Sequence, residues 1–282
     1  KLSINTFEQF NTGNAVITGY GPQPIYQPLP SQDGITRIVG GPTALIETLC
    51  ERVGSNNIRT KSLVTEVCEY EADRMAVLLN TGEMIAAHKV IMAIPLRVAA
   101  TTLHLPWAAQ SLLETMRNTP TWMSTHAKAV VLYERPFWRE LGLSGRVASQ
   151  TGPLVEVHDH SSADIQSAAL FGFVGWSAAQ RQSCPKQLQQ EILKQLSDCF
   201  GDAAANPVDL VIQDWALNTH IVTDLDLSGT QQHPDVGPKI LRENHLNGRI
   251  RFAVSEMSNR SPGLIEGALV AGESAATEML DK

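Results

Sequence analysis

Lys128 is the residue best suited to chemistry. It interrupts an apolar run, AKAVVLY at residues 127–133, and alternation puts it on one strand face with Val130 and Leu132. A lysine on an apolar face is costly unless it is paired or opens onto a polar cavity. A solvent-facing strand, or a snorkelling stem, would hold it equally well. Trp215 ends a second run, VIQDW at residues 211–215, and suits either a core or a wall for a flat ring. Glu256 follows a third apolar run, residues 250–254, and precedes the last helix. A carboxylate there either binds ribose or ribityl hydroxyls or caps a helix. His158 and His160 have the H-x-H spacing of a metal pair and would share a strand face, but no third ligand cluster accompanies them.

The last helix has a face of small residues: Gly263, Gly267, Ala268, Ala271, Gly272 and Ala275. Small residues let a backbone or a cofactor approach. Free N–H groups in the first turn make a seat for a phosphate or an electron-rich ring oxygen. Packing of a closing helix on a sheet explains the same pattern.

Other elements must hold these residues in place. Gly40-Gly41 before Pro42, then Leu45, Leu49 and Val53, predict a helix that Gly54 stops. Residues 58–70 alternate as a strand, and residues 75–79 and 84–87 form a hairpin around Asn80-Thr81-Gly82. The apolar run at 89–95 reads as a strand covered on both faces. Beyond residue 100 come helices at 107–116 and 187–200 and strands at 127–133, 168–175 and 208–215. That order predicts antiparallel strands with helices laid on one side, an α+β arrangement. Residues 1–35, rich in Asn, Gln, Gly and Pro, read as a lead-in of loop or extended chain.

With 282 residues, 43% apolar and 18% charged, the chain has an ordinary globular composition and room for one large or two modest domains. A formal net charge of -7 argues against nucleic acid as a partner. No apolar run is long enough to cross a bilayer. The four cysteines are scattered without a CxxC pair, as expected of free thiols in a reducing cytoplasm. There is no P-loop, no Gly-x-Gly-x-x-Gly and no Gly-x-Ser-x-Gly. The first residue is Lys1 rather than Met, as expected of a fragment or a processed chain.

Five segments in order carry a resemblance: RIVGGPTAL at 37–45, VIMAIPL at 90–96, KAVVLYERPFWR at 128–139, Asp214-Trp215, and FAVSE at 252–256 followed by GLIEGALVAGE at 263–273. Together, over residues 35–280, the chain resembles the flavin-dependent amine oxidases: monoamine, polyamine and L-amino-acid oxidases. The resemblance implies an α/β plus α+β fold. An incomplete, Rossmann-like FAD-binding domain (residues 36–100 and 216–282) would interleave with a mixed-sheet substrate domain flanked by helices (residues 101–215). It implies non-covalent FAD, a small-molecule amine as substrate, and O2 as oxidant. Lys128 falls on the family's active-site lysine, which holds a water next to flavin N5, and Trp215 on the tryptophan beside the isoalloxazine. Ser255 and Glu256 fall on the Thr-Glu of the C-terminal flavin motif. Gly263, Leu264 and Ile265 fall on the turn into the last helix, and Leu63 and Val64 on the adenine end.

The sequence departs from that family in three ways. The glycine-rich βαβ unit that holds the FAD pyrophosphate is missing from this sequence. Leu264 stands where an aromatic is common, and residues 219–229 hold no aromatic and no cysteine. Val254 replaces the glycine usual after Phe252-Ala253. Two expectations follow: an FAD-dependent amine oxidoreductase, present as a fragment or as a chain whose nucleotide-binding part comes from a second chain, or a flavin-free, non-catalytic module that acts in binding. A carbon-skeleton oxidase of the same superfamily is a third.

Overall fold

The computed structural model describes residues 38, 40–161, 167–229 and 236–280, together with the backbone of three strands before them. Those strands are β1 (Asn5–Gln9), β2 (Asn14–Thr18) and β3 (Pro24–Pro28), in the stretch expected to be a lead-in. In chain order there follow α1 (Gly41–Val53), β4 (Val64–Tyr70), β5 (Arg74–Leu79), β6 (Met84–Ala87) and β7 (Val90–Met92). Next come α2 (Leu96–Thr102), α3 (Gln110–Arg117), β8 (Ala127–Tyr133), α4 (Phe137–Glu140), β9 (Leu143–Ser149), β10 (Leu154–Asp159) and β11 (Ala168–Val174). The chain closes with α5 (Ala178–Ser183), α6 (Pro185–Phe200), β12 (Asp209–Asp214), α7 (Asp224–Leu227), β13 (Ile250–Phe252) and α8 (Ile265–Leu280).

The chain divides into two compact units, each built from two separate stretches. One comprises Lys1–Asp33 and Thr125–Leu217, the other Gly34–Ser124 and Asn218–Lys282. Residues 101–124 therefore group with the second unit, although the sequence puts a boundary after residue 100. The reason is packing: α3 lies on α2, and its Leu112 and Met116 enter that unit's core.

The first unit is an eight-stranded sheet in the order β12-β8-β11-β10-β9-β1-β2-β3. Its pairings are all antiparallel, which corrects the mixed sheet implied by the resemblance and agrees with the strand order read from the residues. β8 alternates buried and half-buried residues: Ala127, Ala129, Val131 and Tyr133 face a core shared with Leu188, Ile192 and Leu196 of α6. The leucine and isoleucine spacing on α6 is what makes one face of it apolar. Trp138, fully buried, donates from Nε1 to Asp159 at 2.8 Å, and Arg139 Nε donates to the same oxygen at 2.6 Å. Burial alone would raise the Asp159 carboxyl. The hydrogen bonds from Arg139, Trp138 and Ser161 outweigh it and hold that carboxyl below the usual range.

The second unit contains the antiparallel meander β4-β5-β6 and a parallel pair, β13 and β7. Its core joins Met75, Met92, Leu96, Met116, Leu241, Ile250 and Phe252. The strand expected over 58–70 begins only at Val64, and the apolar run at 89–95 yields a three-residue strand before Pro95 opens α2. Helix α1 forms where Gly40, Gly41 and Pro42 predict it, with Gly40 at φ 79°, yet it has no buried residue. The four cysteines are unpaired. Among the described residues, no helix is long and apolar enough to cross a membrane.

Candidate functional site

In the first unit the outward face of the sheet carries Lys128. Its ammonium is 5.1 Å from the Phe173 ring centroid and 5.5 Å from those of Phe171 and Trp215. Three ring faces so close attract a cation through their quadrupoles. They also surround it with apolar surface, and Lys128 is half-buried on that face. Lys128 and Trp215, each of which the family resemblance sets beside the flavin, are thus close to each other. Phe171 and Phe173 were not singled out; the clue was their alternation in the ALFGFV run of β11.

Trp215 is anchored from behind. Its backbone N–H donates to the His126 carbonyl at 3.1 Å. The preceding Asp214 receives two hydrogen bonds of 2.7 Å from the Arg181 guanidinium, and Arg181 also donates to the carbonyls of Trp176 and Thr125. Planar, two-pronged recognition of this kind is what a guanidinium does best.

β10 shapes the same face. A bulge between Leu154 and Glu156 inserts an extra residue, Val155. Leu154 points into the core and Val157 does too, while Glu156 points outward. Strict alternation from Leu154 would put Glu156 inside. Room for the bulge comes from glycines: a Cβ on Gly172 would lie 2.9 Å from the Glu156 carbonyl oxygen, and one on Gly175 2.4 Å from a Val155 methyl. Buried Gln195 of α6 completes it, accepting from the Leu154 N–H at 2.8 Å and donating to the Leu154 carbonyl at 2.8 Å. His158 and His160 share the outward face as expected, near the Phe171 ring at 6.1 and 5.7 Å. Among the described residues, no three His, Cys, Asp or Glu side chains cluster as metal ligands would.

The second unit holds the remaining residues. Glu256 is buried; one oxygen accepts from the Trp122 N–H at 3.2 Å and the other from the Ser255 hydroxyl at 3.0 Å. Each oxygen keeps a lone pair for a further hydroxyl donor. Gly263, at φ 75°, turns the chain into α8, and Leu264 and Ile265 are half exposed at its first turn. Gly267 lets the loop close on the helix: a Cβ there would stand 2.3 Å from the Ser261 carbonyl oxygen. Leu63 and Val64 line a cavity of about 480 Å³ with Val67, Val77, Ile91 and Val98. That cavity is apolar and Glu256 is not among its lining residues, so the unit offers an apolar hollow and, elsewhere, a polar turn at the head of a helix. These fit parts of a flavin nucleotide: a hydroxyl-accepting carboxylate, helix N–H donors and an apolar slot. A glycine-rich pyrophosphate cradle is not in the sequence.

Comparison with known proteins agrees with this geometry. The family model described as flavin containing amine oxidoreductase matches residues 11–280. A probable flavin-containing monoamine oxidase A of Dictyostelium discoideum is 25% identical over 87% of this chain and 53% of its own length. A putrescine oxidase of Kocuria rosea is 24% identical over 86% of this chain and 52% of its own. Among solved structures, cyclohexylamine oxidase from Brevibacterium oxydans aligns with TM-score 0.70 at 21% identity, over 86% of this chain and 53% of that one. The likeness of fold is therefore clear, and the chain spans about half the length of the curated relatives it matches. Membership of the family implies FAD as cofactor. An aromatic-lined lysine, a buried carboxylate ahead of a glycine-turned helix, and a family match over nearly the whole sequence lead to one conclusion: this chain belongs to the flavin-containing amine oxidoreductases.

Proposed function

We propose that the chain is the amine-oxidising part of an FAD-dependent oxidoreductase acting on a small amine, and that it works together with a nucleotide-binding part of glycine-rich type. The observation that carries this reading is the Lys128 ammonium held by Phe171, Phe173 and Trp215 on a sheet face. When bound, FAD supplies the acceptor for a hydride from the carbon that bears the amine. The amine must be neutral to release that hydride. Aromatic walls favour the neutral form by keeping water away, and the Lys128 charge opposes protonation beside it. Lys128 also holds a water by donating from Nζ, the role its counterpart has in the family. Trp215 acts as a flat wall, and the Arg181–Asp214 pair keeps it in place.

In the second unit, Glu256 and Ser255 would take the ribityl hydroxyls. Of the first-turn N–H groups after Gly263, that of Leu264 already donates to the Ser261 carbonyl at 3.2 Å, so the N–H of Ile265 would meet the ring oxygen, and Leu63 and Val64 would line the adenine slot. Product imine is hydrolysed by water, and O2 is the final oxidant. The departures at Val254 and Leu264 narrow the cofactor side and remove an aromatic; they favour the second reading, a flavin-free binding module.

Titration of the purified chain with FAD separates the two. Binding followed by flavin absorbance and by a rise in unfolding temperature supports the oxidoreductase. Absence of both, also after addition of the separately expressed part of the Kocuria rosea putrescine oxidase that this chain does not match, would leave the flavin-free module.

A further inference from the structure

The second unit has another cavity, of about 300 Å³, between α8, β13 and the segment that leads into β13. None of the residues that would hold FAD lines it. Its walls are of two kinds. Phe252, Met257, Val270 and Ala271 make an apolar floor. Arg242, Arg251, Asn259 and Glu278 bring polar groups to it.

Arg251 sets the chemistry of this cavity. It is the middle residue of β13 and only 8% exposed. One terminal nitrogen donates to the Arg242 carbonyl at 2.6 Å and to Asn244 Oδ1 at 3.2 Å, and the other donates to Glu278 at 2.7 Å. The Arg251 Nε is buried and has no hydrogen-bond partner. A buried donor left unpaired is costly, more so on a charged group, and an apolar side chain of similar size often serves a fold as well or better. An acceptor from a ligand would complete the set. The Glu278 oxygen that Arg251 grips is already shared with the Ser274 hydroxyl at 3.0 Å. Arg242 is exposed, and its guanidinium has no hydrogen-bond or ion-pair partner among the described residues. Two guanidinium groups against one carboxylate leave the cavity with one net positive charge. That balance suits a monoanion, because a doubly charged phosphate would meet the Glu278 carboxylate as well.

We propose that this cavity binds a small monocarboxylic acid, with its carboxylate on Arg251 and Arg242 and its hydrocarbon part on Phe252, Met257 and Val270. A planar carboxylate matches guanidinium donors, and charge assistance strengthens each hydrogen bond. An apolar floor with a few polar groups at one side is how pockets for small molecules are commonly built. The site lies wholly within the second unit and does not depend on amine oxidation.

Isothermal titration of the purified chain with butyrate, 1-butanol and inorganic phosphate tests this. Butyrate is expected to bind in the millimolar range, about tenfold more tightly than 1-butanol, the gain of one charge-assisted hydrogen bond. It should also bind more tightly than phosphate. Arg242→Gln alters an exposed side chain and should weaken butyrate about tenfold while leaving 1-butanol unchanged. Arg242→Lys should keep part of the preference. Ala271→Phe should fill the cavity and abolish binding of butyrate, with circular dichroism to check that the variant is folded. Should it fail to fold, the two Arg242 variants still decide the question. Absence of butyrate binding up to tens of millimolar, equal affinity for butyrate and 1-butanol, or tighter binding of phosphate would overturn the proposal. So would butyrate binding that survives unchanged in Arg242→Gln or in folded Ala271→Phe.

Discussion

Arg181 grips Asp214 with two parallel hydrogen bonds of 2.7 Å, and the two side chains are only 4% and 9% exposed. The pair joins the start of β8, the turn before α5 and the end of β12, since Arg181 also holds the Thr125 and Trp176 carbonyls. Removing one partner of a buried pair leaves the other charged without compensation. Arg181→Met should therefore cost about 3–5 kcal/mol in urea unfolding. A cost under about 1 kcal/mol would mean that water reaches Asp214 and that the pair is not what fixes Trp215.

Lys128 is close to three rings and has no carboxylate partner among the described residues. In the complete, flavin-loaded enzyme, Lys128→Met should slow flavin reduction or reoxidation by about tenfold or more, a barrier change of at least about 1.4 kcal/mol. Stopped-flow absorbance measures both half-reactions. Unchanged rates in both would remove Lys128 from the mechanism.

His245 gives the second unit a pH dependence. Its ring lies between Trp107 and Phe252, with centroids 5.9 and 5.5 Å away, and its Nε2 is buried without a hydrogen-bond partner. Burial lowers its pKa below the ordinary 6.5, against the pull of Glu243 and the Ile240 carbonyl. The unfolded chain then takes up the proton first as pH falls. The stability His245 contributes is fully present above about pH 6.5 and is lost on acidification through the window below it. Denaturant unfolding at pH 7.5 and 5.5 should show the wild type weaker at the lower pH. His245→Phe should shrink that difference, and an unaltered difference would assign it to other groups.

The bulge in β10 predicts a stability effect of its own. Gln195→Leu would leave the buried Leu154 N–H and carbonyl without their partner, at about 1–3 kcal/mol each. Calorimetric unfolding measures this. A neutral substitution would show that the bulge is held by other contacts.

What could be read from the sequence and what could not have physical causes. Lys128 was legible because a single polar residue in a strictly alternating run fixes its face by parity alone. Helix α6 was legible from Leu188, Ile192 and Leu196 at helical spacing. β10 was not, because the extra Val155 breaks alternation: Leu154 and Val157 both face inward at odd separation. For the same reason Glu156 passed unnoticed. α2 follows Pro95 directly and is seven residues long, too short for its period to declare itself. Arg181 and Asp214 lie 33 residues apart, and only the closed sheet reveals that two charged residues bury each other. Asp159, the residue between His158 and His160, accepts from Trp138 and Arg139, partners that the spacing of the two histidines does not reveal.

Helix α1 leads to a different kind of observation. It has 13 residues and none is buried; Ile46, Leu49 and Val53 all face solvent. A helix of that length, unsupported by packing, is marginal in water. Its amide hydrogens should therefore exchange with deuterium almost as fast as those of an unstructured peptide, while β8 and α6 exchange only through much larger openings. Any partner that covers this apolar stripe would slow that exchange. α1 is in effect a built-in footprinting probe: its deuterium uptake, compared between purified chain and cell extract, reports whether the protein is alone.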